Sequence, residues 1–118
     1  MKKSNNKNKI VIPFRVYISG KMSGVNTFVY ERLFFNAEHE LKEKGFDVVN
    51  PVTLGKELDE RVKDRKPTYT EYLNNDLDAL ATCDGIYMLR SWRSSKGARI
   101  ERIYAQETGK FIAYEPIS

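Results

Sequence analysis

Phe14-Arg15-Val16-Tyr17-Ile18-Ser19-Gly20-Lys21-Met22-Ser23-Gly24 runs from an apolar, β-branched and aromatic pattern directly into a loop bounded by two glycines. Residues 14–19 read as a buried strand, which residues 10–12 can extend beyond Pro13. Residues 26–44 then read as a helix. Its apolar positions Leu33, Phe34, Ala37 and Leu41 recur at helical spacing, and Gly45 offers a C-terminal cap. Strand, tight loop and helix form the first half of a βαβ unit.

The rest of the chain repeats that alternation. Residues 46–50 read as a short strand stopped by Pro51. Residues 53–66 are strongly charged and read as a short helix and a mobile loop. Residues 68–82 read as a helix after Pro67, capped by Thr68 or Thr70. A short apolar strand at 85–89, a polar loop at 90–96, a helix at 97–108 ended by Gly109 and a last strand at 110–114 complete the order. Right-handed crossovers turn such an order into a parallel sheet covered on both faces. The expected fold is α/β: a three-layer sandwich around a four- or five-stranded parallel sheet, Rossmann/flavodoxin-like, with strand order 2-1-3-4. Ligands of such sheets bind at the carboxyl ends of strands near the switch in order, here between the first and third strands. That rule selects the loops at 20–25, 50–53 and 90–96.

Composition sets the outer bounds. The 118 residues suit one core, and 41% are hydrophobic, so burial can drive folding. Residues 10–118 are expected to form that single domain. Residues 1–9, rich in Lys and Asn, are expected to be a disordered basic tail. Four of the twenty basic residues sit in it, and the remaining sixteen balance sixteen acidic ones. The net charge of +4 therefore resides in the tail, and nucleic acid is not an expected partner. Cys83 is the only cysteine and His39 the only histidine. That excludes an internal disulfide and a cysteine-based metal site, and His39 lies on the polar side of its helix, away from any triad spacing. No metal and no cofactor is expected. The tail has no signal-peptide core, and no run approaches membrane-spanning length, so the expectation is a cytoplasmic protein with no membrane partner. Tyr30, Phe34, Phe35 and Trp92 are more aromatic surface than so small a domain easily covers, which points to a homodimer or larger homo-oligomer.

The selected loops and their flanking helices hold the distinctive residues. Around the two glycines of the loop Ser19 to Gly24, backbone N–H groups can approach a ligand, and Lys21 and the hydroxyls of Ser19 and Ser23 can bind phosphate or sugar oxygens. The spacing is not that of a Walker A loop, and an ordinary tight turn explains it equally. In the 68–82 helix, Leu73, Leu77 and Leu80 make an apolar stripe, and Asp76 lies on the same face while Asp78 lies off it. A carboxylate on a packing face needs a partner or a cleft. Glu101 lies about one turn into the last helix, with small residues Ala98 and Ala105 on its face. The positive end of that helix favours its charge. A routine acidic residue in a first turn is the plain alternative. Asp76 and Glu101 come from the two helices flanking the third strand, so both can reach one strand end. Two carboxylates there suit glycosidic chemistry, one attacking the anomeric carbon and one handling protons. Trp92, among cations and hydroxyls, can stack on a base or fill a subunit interface.

These motifs, in this order, resemble the nucleoside 2-deoxyribosyltransferase superfamily. The resemblance lies in Val16 to Gly24, in Asn50-Pro51, in Asp76-Leu77-Asp78-Ala79-Leu80 with Cys83-Asp84-Gly85-Ile86, and in Ser95-Lys96-Gly97-Ala98-Arg99-Ile100-Glu101 with Ala105. Trp92 and the Gly97-Ala98…Glu101 signature most resemble a short branch common in phages and bacterial mobile elements. The resemblance implies Glu101 as nucleophile, Asp76 as the proton-handling carboxylate and Tyr17 as the group that orients the nucleophile. It implies Gly20 and Ser95 against the sugar or phosphate, with Lys21, Met22, Ser23, Asn50, Pro51, Trp92 and Gly97 as further substrate contacts. The expected activity is cleavage or transfer at the N-glycosidic bond of a nucleoside or (deoxy)nucleotide. The alternative is a non-catalytic nucleotide-binding module of the same fold.

Overall fold

The structure, a computed structural model, describes residues 12–117. The expected disordered tail at 1–9 lies outside the described residues, as do Ile10 and Val11. Four strands form the sheet: β1 (Arg15–Ser19), β2 (Asp47–Val49), β3 (Gly85–Met88) and β4 (Phe111–Tyr114). Four α-helices connect them: α1 (Thr27–Glu43), α2 (Pro51–Arg61), α3 (Tyr69–Ala81) and α4 (Lys96–Glu107). A 3-10 turn, Arg90–Ser94, leads from β3 to α4. All pairings are parallel, and the order is β2-β1-β3-β4.

Alternation along β1 assigns the two faces. Tyr17 faces a cluster with Leu80 of α3 and Ala98 and Ala105 of α4. Val16 and Ile18 face the other way, against Phe34, Ala37 and Leu41 of α1. The sheet is thus covered on both sides, as in a three-layer α/β sandwich. No helix among the described residues is long and apolar enough to cross a membrane.

Local chemistry explains the ends. Asn26 caps α1 by accepting from the N–H groups of Phe28 and Val29. At its other end Gly45 has φ of +95°, and the N–H groups of Gly45 and Phe46 donate to the carbonyls of Lys42 and Leu41. That is a Schellman closure, which needs a left-handed residue. Thr68 and Glu71 form a reciprocal capping box on α3. Arg65 holds Glu71 through both carboxylate oxygens, at 2.7 and 2.8 Å.

The segment after β2 departs from expectation. Pro51 does not merely stop a strand. It is the first residue of α2, where its missing N–H costs nothing, and Asn50 caps that helix through the Val52 N–H at 2.9 Å. The helix therefore occupies much of the stretch expected to be a short helix and a mobile loop. Phe34, expected at the surface, is 1% exposed in the core beneath α1.

Candidate active site

One face of β1 carries both Tyr17 and Ser19, two residues apart. Both are fully buried, and both point at the α4 layer. The buried residues of α4 are Ala98, Glu101 and Ala105, one stripe of the helix. The two small alanines bring that stripe close to the sheet, and Glu101 between them reaches β1. Tyr17 Oη donates to Glu101 Oε2 at 2.8 Å, and Ser19 Oγ donates to Glu101 Oε1 at 2.6 Å. Glu101 is 5% exposed.

Asp76 arrives from α3 and lines the same cavity as Tyr17 and Glu101. That cavity has a volume of about 850 Å³ and lies at the carboxyl end of β1. Among the residues selected from sequence, Gly20, Lys21, Met22, Ser23, Pro51, Ser95 and Gly97 also line it. Three segments converge there: the loop after β1, the first turn of α2 and the start of α4. Tyr69 and Tyr72 of α3 and Lys56 of α2 add an outer wall.

Burial controls the charge of the two carboxylates. It pushes Glu101 up to about 7, against the lowering effect of the Ser19 and Tyr17 hydrogen bonds. Burial first and the neighbouring Glu101 charge second push Asp76 up to about 8. Tyr17 is raised well above its ordinary value by burial and then by both carboxylates. The phenol has one proton to donate, and the geometry gives it to Glu101. Near neutral pH the pair thus favours one anion, on Glu101, beside a protonated Asp76. Among the described residues, no group of three or more His, Cys, Asp or Glu side chains is arranged to hold a metal ion.

Two residues selected from sequence do not line the cavity. Asn50 is buried and occupied at both ends: Oδ1 caps α2, and Nδ2 donates to Glu38 at 2.9 Å. Its place in the motif follows from helix initiation, and it orients Pro51 and Val52 instead of touching the cavity itself. Trp92 packs against Tyr114, with ring centroids 5.8 Å apart, and lies under the guanidinium groups of Arg93 and Arg102 at 5.2 and 5.1 Å. Its ring is engaged on the β4 side of the molecule and does not offer a stacking face to the cavity. Sequence reasoning offered the Ser19 hydroxyl to a ligand and missed its contact with Glu101. The signal was available, because a residue two positions after Tyr17 in a strand shares its face. Within the loop, Gly20 has a packing cause: a Cβ there would stand 2.9 Å from the Leu89 side chain.

No curated protein matches the chain. Among solved structures, it is similar to a 2-desoxiribosyltransferase from Leishmania mexicana, with a TM-score of 0.58 and 21% sequence identity. The match covers 86% of this chain and 63% of that one, so this chain spans less than two thirds of its structural relative. The likeness is one of fold: a parallel α/β sandwich. At the level of sequence, the family model described as a domain of unknown function, DUF4406, matches residues 14–114, and the chain belongs to that family.

Proposed function

We propose that this chain cleaves the N-glycosidic bond of a nucleoside or deoxynucleotide, as a member of the nucleoside 2-deoxyribosyltransferase superfamily and of its short phage and bacterial branch. One observation carries the reading. A buried glutamate is held by two donors on the floor of a cavity that also contains a second, raised carboxylate. A structural glutamate has little reason to lie there, since burying a carboxylate is costly. A nucleophile needs that fixed placement.

In the proposed reaction, an ionised Glu101 oxygen attacks the anomeric carbon. The new ester bond forms as the glycosidic C–N bond breaks. Protonated Asp76 donates its proton to the leaving base, whose nitrogen takes the electron pair of the broken bond. The sugar then leaves Glu101 for another base or for water, which returns the proton to Asp76 and restores the carboxylate. Lys21 and the start of α4 at Ser95, Lys96 and Gly97 line the part of the cavity suited to the sugar's outer oxygens or a 5′-phosphate. The reaction needs no cofactor or metal, and the proposed setting is the cytoplasm.

The test is base release from a panel of nucleosides and their 5′-monophosphates, with and without an acceptor base. Release that disappears in Glu101→Gln supports the reading. Wild type that binds these compounds calorimetrically but never releases base would replace the enzyme with a nucleotide-binding module.

A further inference from the structure

We propose that Ser19 is a second positioning residue for Glu101, pairing with Tyr17 so that one strand face holds both oxygens of the carboxylate. The inference rests on the reading of Glu101 as the nucleophile and deepens it.

Ser19 is the last residue of β1 and is fully buried. The neighbouring inward positions of that sheet face are Tyr17 on β1 and Ile86 and Met88 on β3. A hydroxyl in such a place is costly unless a partner accepts its proton. The acceptor is Glu101 Oε1 at 2.6 Å. Tyr17 Oη, two residues earlier, occupies Oε2 at 2.8 Å. A carboxylate gripped at one oxygen can still rotate about that contact. Gripped at both by groups on one rigid strand, its plane is set.

The backbone bearing Ser19 is itself clamped. Its carbonyl accepts from the Leu89 N–H at 2.8 Å, and its Cα pairs with Met88 in the parallel register. Gly20 follows directly under the Leu89 side chain, where no Cβ would fit without displacement. The hydroxyl therefore cannot follow a moving loop. The two grips also act on charge. Hydrogen bonds from Ser19 and Tyr17 favour the ionised form that burial opposes. The titratable groups facing Glu101 are Tyr17 from β1 and Asp76 from α3. The lysines of the cavity lining are Lys21, Lys56, Lys66 and Lys96.

The experiment follows the side-chain carboxyl carbon of Glu101 by NMR as the full chain is titrated, with no substrate present. Ser19→Ala is expected to raise the titration midpoint by roughly one to two pH units, as loss of a hydrogen bond to a charged group does. Ser19→Cys, close in size and a weaker donor, is expected to fall between alanine and wild type. In base release, Ser19→Ala should lose about tenfold on the acid side for every pH unit that the midpoint rises, and recover part of that loss at alkaline pH. A folded Ser19→Ala or Ser19→Cys whose Glu101 titrates like wild type overturns the proposal. Because the titration is read in the free protein, it stands or falls apart from turnover. Wild type without base release would reject the enzyme reading and leave this measurement intact.

Discussion

Burial raises both Glu101 and Asp76, and the hydrogen bonds from Ser19 and Tyr17 favour the charged form at Glu101. Glutamine at position 101 preserves shape but cannot form the ester. Glu101→Gln is therefore expected to abolish base release while ligand affinity, read by calorimetry, changes by no more than a few-fold. Asp76→Asn should behave differently, because in the proposed reaction it keeps the nucleophile and loses only the proton donor; such donors are worth roughly 10²–10⁴ in rate. The pH profile separates the two roles. The proposed reaction requires Glu101 ionised and Asp76 protonated. With Glu101 near 7 and Asp76 near 8, kcat/KM should be bell-shaped with an optimum between those values. The two groups interact, so the limbs report the pair. In Asp76→Asn the alkaline limb should disappear. A profile that keeps that limb would remove Asp76 from proton transfer.

At the scale of elements, caps determine where the cavity walls stand. Thr68 starts α3, which carries Asp76, Tyr69 and Tyr72 to the cavity. Thr68→Ala removes an exposed cap and should lower stability by about 1 kcal/mol, read as a urea midpoint. Asn50→Ala should cost more, about 2 kcal/mol, because Asn50 is buried and its loss also leaves Glu38 without its amide partner. If Asn50 instead contacted substrate, its alanine variant would lose affinity at unchanged stability. Both caps are visible in the sequence as Thr-x-x-Glu and Asn-Pro. The start of α2 was misread because its proline resembles a strand stop, and only the chain's entry from β2 with Asn50 in an extended conformation makes it a first helical residue.

For the molecule as a whole, raised carboxylates tie stability to pH. Asp76 and Glu101 bind protons in the native state up to about 8 and 7, against ordinary values of 3.8 and 4.5. Between about pH 4 and 8 the folded protein therefore holds protons that the unfolded chain has released, and stability falls as pH rises through that window. Glu71 acts oppositely: Arg65 and the Thr68 N–H hold it down to about 2, so its contribution is lost only as pH falls below 4.5. The urea midpoint is expected to be higher at pH 5 than at pH 8, and the slope should flatten in an Asp76→Asn/Glu101→Gln double variant. Self-association is expected too, on a surface that keeps Phe35 of the residues first selected but not Phe34. Phe34 is internal, and the exposed apolar side chains of α1 are Phe28, Val29, Leu33 and Phe35. Light scattering that shows a monomer at micromolar concentration would count against a homodimer.

Periodicity and the alternation of strands and helices made the parallel α/β sandwich legible, and the expected strand order 2-1-3-4 is the one the pairings show. Asp76 and Glu101 were also legible, because a helix repeats every three to four residues and each fell on an inward face; Tyr17 came from the family resemblance. Tertiary structure alone decided which of the chosen residues meet. Asn50 and Trp92 stand beside cavity residues in the sequence, yet a helix cap and a β4 packing contact claim them. Ser19, whose hydroxyl the sequence offered to a ligand, grips Glu101 across 82 positions of chain. Local pattern reports which way a side chain points. What it points at depends on which distant segment the sheet and helices bring opposite, and on how closely Ala98 and Ala105 let α4 approach.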